Sequence, residues 1–408
     1  MSNRKRIMLL GAGDEHVHVV RAAKYAGHYV IVVDPNSTRP GVALADDYVQ
    51  LDLLDEEAVV KAARDRRIDG ITTASLGIGM RTIGAVAEAL DLPGLRRDSA
   101  YAVTDKITMR ERLHTAGVDS VSFGIAASVD EALQCATELG LPVVTKPPDG
   151  SGSRGVRVVS RADDIAEAYQ AAVAQTRSPE RIGQVLVEAF VPGHEINADG
   201  FVIEGQTHTP SLRESIMTPP PYRQEVAYRF PASLASTTQT AVENLLGQTM
   251  QALRLNQTAF NVDMKIKPDG TPALIEIGAR LPGYGLSFDF IPHATGLDMA
   301  AINVELALGG APDLTTTMCR PTCMFFLRPK TGKITSGIDL EGLRQQPGVV
   351  AAQSKLCPGD SVSAITDGIA ALHYGYVVTT ADSTVDACQL AQLAADWFCD
   401  QLVYDYEE

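Results

Sequence analysis

The sequence predicts a multidomain protein of α/β and α+β class, and three stretches carry that expectation. The chain opens with a strand, a glycine turn, a helix and a second strand, and the alternation of strand and helix continues to about residue 100, the pattern of a parallel, doubly wound sheet. Two hairpin-like stretches, 141–160 and 258–285, then break that alternation with antiparallel pairs. From about residue 316, short strands precede one amphipathic helix, which predicts a small α+β module. A length of 408 residues fits two or three domains, because single cores stop growing beyond roughly 250–300 residues.

The elements follow in order. Residues 6–10 (RIMLL) read as a buried strand and lead into Gly11-Ala12-Gly13 and a helix to about Ala26. Residues 29–33 (YVIVV) form a second strand ending at Asp34. A glycine turn after a strand with an acid some twenty residues on is part of a dinucleotide fingerprint, but His16 stands at its third glycine position. NAD(P) binding and a structural or substrate-facing turn both remain open. DEEAVVKAARDRR, DGITTA and 77–90 continue as helix, strand and helix. A helix running from Ser99-Ala-Tyr-Ala-Val-Thr-Asp105-Lys106 to Ala116 is expected next, and Ser128-Val-Asp-Glu131 is a capping box for a helix ending at Gly140.

In 141–160, the run VVTK reaches Lys146, a loop Gly150-Ser151-Gly152-Ser153-Arg154-Gly155 follows, and VRVV returns as a strand. Three glycines let backbone N–H groups approach an anion, the serines add donors, and Lys146 and Arg154 add charge. A flexible linker is the alternative. A Walker A loop is not, since there the lysine closes the glycine run. Residues 184–202 read as two strands broken at Pro192-Gly193, with Glu188 and Glu195 seven apart. Such a connector offers backbone groups to a flat base and an acid to ribose hydroxyls, although either glutamate could be an edge charge. The stretch 210–232, rich in proline and carrying Arg213, Arg223, Glu225 and Arg229, reads as an irregular loop, either a functional lid or disordered. Helix 236–254 leads to the second hairpin.

That hairpin, 258–285, joins AFNVDMKIK and PALIEIGAR through Pro-Asp-Gly. Asp263 and Glu276 lie symmetrically about the turn, so pairing could set the carboxylates side by side. Opposed carboxylates repel unless a cation or proton lies between them, and Mg²⁺ takes carboxylates together with phosphate oxygens. Arg280 follows where the strand enters a glycine-rich loop. A solvent-facing hairpin with charges in water is the other reading. Later, DMAAINVELAL (298–308) is the clearest helical run.

Composition narrows the function. With 45% hydrophobic and 21% charged residues the chain is globular, and a net charge of -15 speaks against nucleic-acid or anionic-membrane partners. Cys135, Cys319, Cys323, Cys357, Cys388 and Cys399 form no CxxC pair, which favours reduced thiols and a cytoplasmic location. The N-terminal apolar run is too short for a signal peptide, and no run reaches the ~18 apolar residues of a membrane helix.

These segments in this order resemble the ATP-grasp superfamily over roughly residues 1–330. The resemblance implies an N-terminal Rossmann-like domain (1–100), an ATP-grasp domain (101–315) with a lid subdomain at about 120–190, and a C-terminal α+β module (316–408). It implies that Lys106 and Lys146 contact the nucleotide phosphates and that Gly150–Gly155 forms a loop closing over them. Glu188 would then stand beside an adenine-binding connector formed with Ala189, Phe190 and Val191, with Glu195 on the ribose. Asp263 and Glu276 would hold Mg²⁺, with Mn²⁺ as a substitute, and Arg280 would face the transferred phosphate and the substrate carboxylate. Many members carry Asn two residues after the second acid, whereas this chain has Gly278, so the number of metal ions stays open. EIGAR is similar to the dipeptide-forming L-amino-acid ligase branch, which implies a substrate-amine role for Glu225.

The implied activity is ATP-dependent ligation of a carboxylate to an amine through an acyl phosphate, with small-molecule substrates and a homodimer among the possible assemblies. Arg280, Lys146 and Glu276 would carry the chemistry. Specificity is expected from 210–232 with Arg213 and Glu225, from Gly283 and Tyr284, and around Ser287–His293. A bicarbonate-using carboxylase of the same superfamily, a nucleotide sensor without turnover and a dehydrogenase built on residues 6–34 are the competing readings.

Overall fold

The computed structural model describes residues 4–118, 121–150, 152–219, 224–365 and 368–405, without the side chains of residues 368, 369 and 372. Ser151 and Arg223, both singled out above, lie outside the described residues. β1 (Arg6–Leu10), β2 (Tyr29–Val33), β3 (Asp47–Val49) and β4 (Gly70–Thr72) form a parallel sheet in the order β3-β2-β1-β4, as the near-continuous apolar runs of β1 and β2 dictate. Helix α1 (Asp14–Tyr25) joins β1 to β2, α2 (Glu56–Asp65) joins β3 to β4, and α3 (Met80–Ala89) follows β4.

The single helix expected from Ser99 is two. α4 (Arg97–Thr104) stops at Asp105, whose extended backbone and side chain cap α5 (Lys106–Thr115) by accepting from Thr108 N. The break matters, because it places Lys106 at the first position of a helix.

A four-stranded antiparallel sheet, β5-β8-β6-β7, comprises β5 (Phe123–Ala126), β6 (Val143–Lys146), β7 (Arg157–Val159) and β8 (Val185–Ala189). Helices α6 (Val129–Leu139) and α7 (Ile165–Val173) pack on it through Ala132, Ala136, Ile165 and Ala172.

The largest sheet gathers β9 (His194–Ile203), β10 (Gln206–Met217), β11 (Glu225–Phe230), β12 (Thr258–Ile266) and β13 (Pro272–Gly278), with α8 (Ser236–Ala252) against one face. Beyond the π-helix Leu286–Phe290, α9 (Ile291–Thr295) and α10 (Met299–Ala307), the chain returns to this sheet with β14 (Thr322–Phe326). β15 (Gly332–Ser336), α11 (Leu340–Arg344), β16 (Val349–Gln353), β17 (Ser361–Val362), α12 (Gly368–Tyr374), β18 (Tyr376–Thr380), α13 (Thr384–Gln401) and β19 (Val403–Asp405) follow. The resulting order is β13-β12-β9-β10-β11-β14-β18-β16, so the C-terminal strands extend the central sheet, while β17-β15-β19 form a small sheet of their own.

The irregular loop expected at 210–232 is corrected by this topology. Residues 206–217 form β10 and 225–230 form β11, both inside the sheet. Pro210 sits at a register shift between His208 and Ser211, where the missing N–H breaks no ladder. Polar residues on the cleft face of β10 removed the apolar alternation by which strands are recognised.

Candidate active site

The face of the central sheet turned toward the cleft is polar, and register builds it. Antiparallel partners share a face, so cross-strand pairing aligns Glu276, Asp263, Asn197 and Arg213 in one row over β13, β12, β9 and β10. A second row runs Gly278, Asn261, Asp199 and Ser211, and a third runs Lys265, Glu195, Ser215 and Tyr228. Asp263 and Glu276 are direct partners, as the symmetry of the Pro-Asp-Gly turn implied.

Their electrostatics differ. Burial and the neighbouring Glu276 push Asp263 up to about 7, although Asn197 Nδ2 donates to it at 2.5 Å. Burial would raise Glu276 too, but Lys106 and Lys146 overcome it and hold the carboxyl below its usual value. Lys106 Nζ lies 2.9 Å from Glu276 Oε1 and donates to Gly150 O at 2.7 Å, joining the acid of β13 to the base of the glycine loop. Among the described residues no three His, Cys, Asp or Glu side chains are grouped to hold a metal. Two opposed acids, one of them driven toward neutrality by burial and by the other, nonetheless fit an ion that completes its shell with phosphate oxygens and water.

Lys146 ends β6 and stands 2.6 Å from Glu188 Oε2, while Arg110 Nε donates to Glu188 Oε1 at 2.5 Å. Burial would raise Glu188, but Arg110 and Lys146 hold it at about 2. Arg110, fully buried, also donates to Leu274 O and Ile275 O, tying Glu188 of β8 to the strand that carries Glu276.

On the third row, Lys265 Nζ donates to Val191 O at 2.9 Å, lies 3.5 Å from Glu195 Oε1 and sits over the Phe190 ring. The N–H groups of Ala189 and Phe190 are taken by Ser122 O and Pro142 O.

The glycine loop stands opposite the sheet. Gly155 has a positive φ, and a Cβ there would lie 2.7 Å from Ala171 O, so only glycine fits the close pass over α7. Asp149 accepts from Arg177 N and Ser178 N, which moors the loop's base. A cavity of about 420 Å³ lies between loop and sheet. On it the structure brings together Lys106, Gly150, Gly152, Ser153, Arg154, Arg213, Glu225, Asp263, Glu276, Arg280, Gly283 and Tyr284. Lys146, Gly155, Glu188, Ala189, Phe190, Val191 and Glu195 lie outside its lining.

Two segments match models of known families. Residues 139–287 match the model of an ATP-grasp domain, and residues 324–397 match that of L-amino acid ligase C-terminal domain 2. The chain carries an ATP-grasp domain and has the ATP-grasp fold.

Among relatives, the uncharacterized protein y4rH of Sinorhizobium fredii (strain NBRC 101917 / NGR234) is 28% identical over 81% of this chain and 68% of its own length. The formate-dependent phosphoribosylglycinamide formyltransferase of Prochlorococcus marinus (strain MIT 9303) is 30% identical over 46% of this chain and 47% of its own, so the match spans about half of that relative. The L-amino acid ligase of Bacillus licheniformis superposes with a TM-score of 0.81 at 21% identity, covering 100% of both chains. N5-carboxyaminoimidazole ribonucleotide synthetase from Thermotoga maritima superposes with a TM-score of 0.75 at 18% identity, covering 99% of this chain and 100% of that one. At such identities these likenesses establish the ATP-grasp fold.

At the N-terminal turn, the residue at the third glycine position is packed into the fold. His16 packs against Gly11, where a Cβ would collide with its ring, and its Nε2 meets Thr73 Oγ1 at 3.0 Å. Burial pushes His16 down to about 4, so it stays neutral. Asp34 accepts from Ala12 N and Asn36 N. The turn is thus packed by its own histidine and braced by Asp34. Neighbouring Glu15 reaches the ATP-grasp cavity, where it accepts from Ser75 Oγ and from Gly285 N.

Arg110, Lys265, Glu15 and Asn197 went unassigned in the sequence. Only Asn197 left a trace, as the middle member of the alternating polar set Glu195, Asn197, Asp199.

Proposed function

We propose that this ATP-grasp protein joins a carboxylic acid to an amine as an amide, with ATP cleaved to ADP and phosphate. The observation that carries the reading is the pairing of Asp263 with Glu276 across one ladder, with Lys106 linking that pair to a glycine loop over the same cavity. Phosphoryl transfer asks a protein mainly for positioning and charge neutralisation. Asp263 and Glu276 would hold a divalent cation, Mg²⁺ or Mn²⁺, which supplies charge neutralisation at the phosphates.

Lys106 is poised to exchange Glu276 for phosphate oxygens. Lys146, fixed by Glu188, adds positive potential from behind. Arg280, whose buried Nε has no hydrogen-bond partner while Nη1 donates to Leu281 O, offers a donor to the acid. An oxygen of that carboxylate attacks the γ-phosphorus, forming the C–O–P bond as ADP leaves. The amine then attacks the acyl carbon, loses a proton, and phosphate departs with both electrons of the C–O bond. The glycine loop, with Arg154, excludes water that would otherwise hydrolyse the acyl phosphate.

L-amino acids are the substrate class we favour, from the match of residues 324–397 and from Glu225, an acid in the cavity able to accept from an ammonium. Six free cysteines agree with a reducing compartment, and no described helix is long and apolar enough to cross a membrane. The test is phosphate release with amino acids singly and in pairs, with the product weighed by mass spectrometry. Condensed products lighter by one water than their paired substrates support the reading. ADP formation that depends on bicarbonate overturns it in favour of carboxylation.

A further inference from the structure

The face of the sheet that carries Asp263 and Glu276 has two more positions beside them. Asn261 pairs with Gly278 two residues along the same ladder, so the four positions form the corners of one patch. Partners across such a ladder stand about 5 Å apart at the backbone, and the next pair on that face lies roughly 7 Å along. One corner is bare, because Gly278 has no side chain. The backbone does not demand glycine there. Its φ is not positive, and a Cβ would meet nothing nearer than Arg280 Cγ at 3.6 Å.

The corner across from it holds an amide with one end in use. Asn261 Nδ2 donates to Asp199 Oδ1 at 2.9 Å, and Asp199 is itself paired with Arg213. A carboxylate bound to a guanidinium can only accept, which fixes the orientation of the amide and turns Oδ1 away from Asp199. Among the described residues nothing donates to that oxygen, and Asn261 lines the cavity. Asn197 makes the contrast. Its Nδ2 donates to Asp263 and its Oδ1 accepts from Ser215 Oγ, so both ends are taken.

We infer that Asn261 gives its amide oxygen to the same divalent cation as Asp263 and Glu276, a third protein ligand supplied across the ladder from the bare corner. The inference rests on the metal-binding part of the ligase reading above. Amide carbonyls are hard oxygen ligands of the kind that suits Mg²⁺ and Mn²⁺. A neutral ligand is also what the local charge favours. Asp263 and Glu276 already repel, and Asp199 stands beside Asn261 on β9. A further carboxylate at this corner would add to that repulsion, whereas an amide adds an oxygen without a charge.

The test uses the full chain and reads metal binding instead of turnover. Mn²⁺ is titrated with ADP at saturation, and free Mn²⁺ is followed by its electron paramagnetic resonance signal. Asn261→Ala should weaken binding roughly 10- to 100-fold, while ADP binding in EDTA stays unchanged. Adding Gly278→Asn to that variant should recover most of the loss, although the bond to Asp199 is still missing. Recovery separates a ligand from a prop, because a residue that only braces Asp199 is not replaced from the other strand. Unchanged Mn²⁺ affinity in Asn261→Ala overturns the inference, and so does a loss that Gly278→Asn leaves unrepaired. Gly278→Asn alone serves where the alanine variant does not fold. It should change Mn²⁺ affinity little, because the ion already has its amide oxygen, and a gain as large as the expected alanine loss overturns the assignment. No Mn²⁺ binding by the wild-type chain with ADP removes the metal reading itself, and this inference with it.

Discussion

Titrating Asp263 and Glu276, the proposed metal ligands, tests the site without knowledge of any substrate. Asp263 sits opposite Glu276 with burial as the main cause of its upward shift, to about 7. A divalent cation binds the ionised carboxylate, so occupancy competes with the proton. About half of the Asp263 carboxyls are ionised at pH 7 and about 1% at pH 5, so Mn²⁺ affinity should fall roughly 50-fold between those values, about 2.3 kcal/mol. Calorimetry of Mn²⁺ binding in buffers of differing ionisation enthalpy reads the proton directly. Release should rise from about half a proton per metal at pH 7 toward about one at pH 5. Asp263→Asn should weaken binding and flatten its pH dependence. The sign for folding follows from the same shift. A carboxyl raised above its unfolded value of about 4 favours the folded state while protonated, so the metal-free protein should lose stability as pH rises from about 4 through 7. Affinity that is flat from pH 5 to 8, with no proton released, would refute the claim that burial and Glu276 hold Asp263 protonated near neutral pH.

Other expectations follow from single contacts. Glu276→Ala should abolish ADP formation while far-UV circular dichroism stays unchanged, and near-wild-type turnover would remove Glu276 from the metal pair. Glu188→Gln should cost about 3–5 kcal/mol in urea unfolding, because it leaves Arg110 and Lys146 buried without a counterion; a loss under 1 kcal/mol would mean that water reaches the pair. Gly285→Ala should impair turnover more than nucleotide binding. Its positive φ disfavours a side chain, and a Cβ would collide with Tyr376 Oη, displacing the turn that carries Tyr284; unchanged kcat would show that the turn yields freely.

What the sequence disclosed and what it withheld divide along one physical line. Features whose parts lie within a single turn or hairpin were legible. Pro-Asp-Gly sets Asp263 opposite Glu276, the glycine loop sits between β6 and β7, and the opening strand–helix–strand is written in apolar runs. Glu188 is legible, but its partner Arg110, 78 residues away, is not, because no local periodicity says which distant strand a helix will cross. Residues 210–232 were misread for the complementary reason. A strand facing a wet cleft with Ser211, Arg213 and Ser215 has no apolar alternation on that side, and Pro210 looks like a break until a bulge absorbs it. The polar alternations Glu195-Asn197-Asp199, Ser211-Arg213-Ser215 and Asn261-Asp263-Lys265 are each visible in the chain. They become a site only through the register that sets Asn197 against both Asp263 and Arg213. A slip of one residue in β9 would turn its polar set into the core and its apolar set, Ile196, Ala198 and Val202, into the cleft. The burial of those three side chains in the core that α8 shares therefore helps fix where Asn197 and Asp199 stand, and with them Asp263 and Arg213. Specificity in this cleft is in that sense held from the opposite face of the sheet.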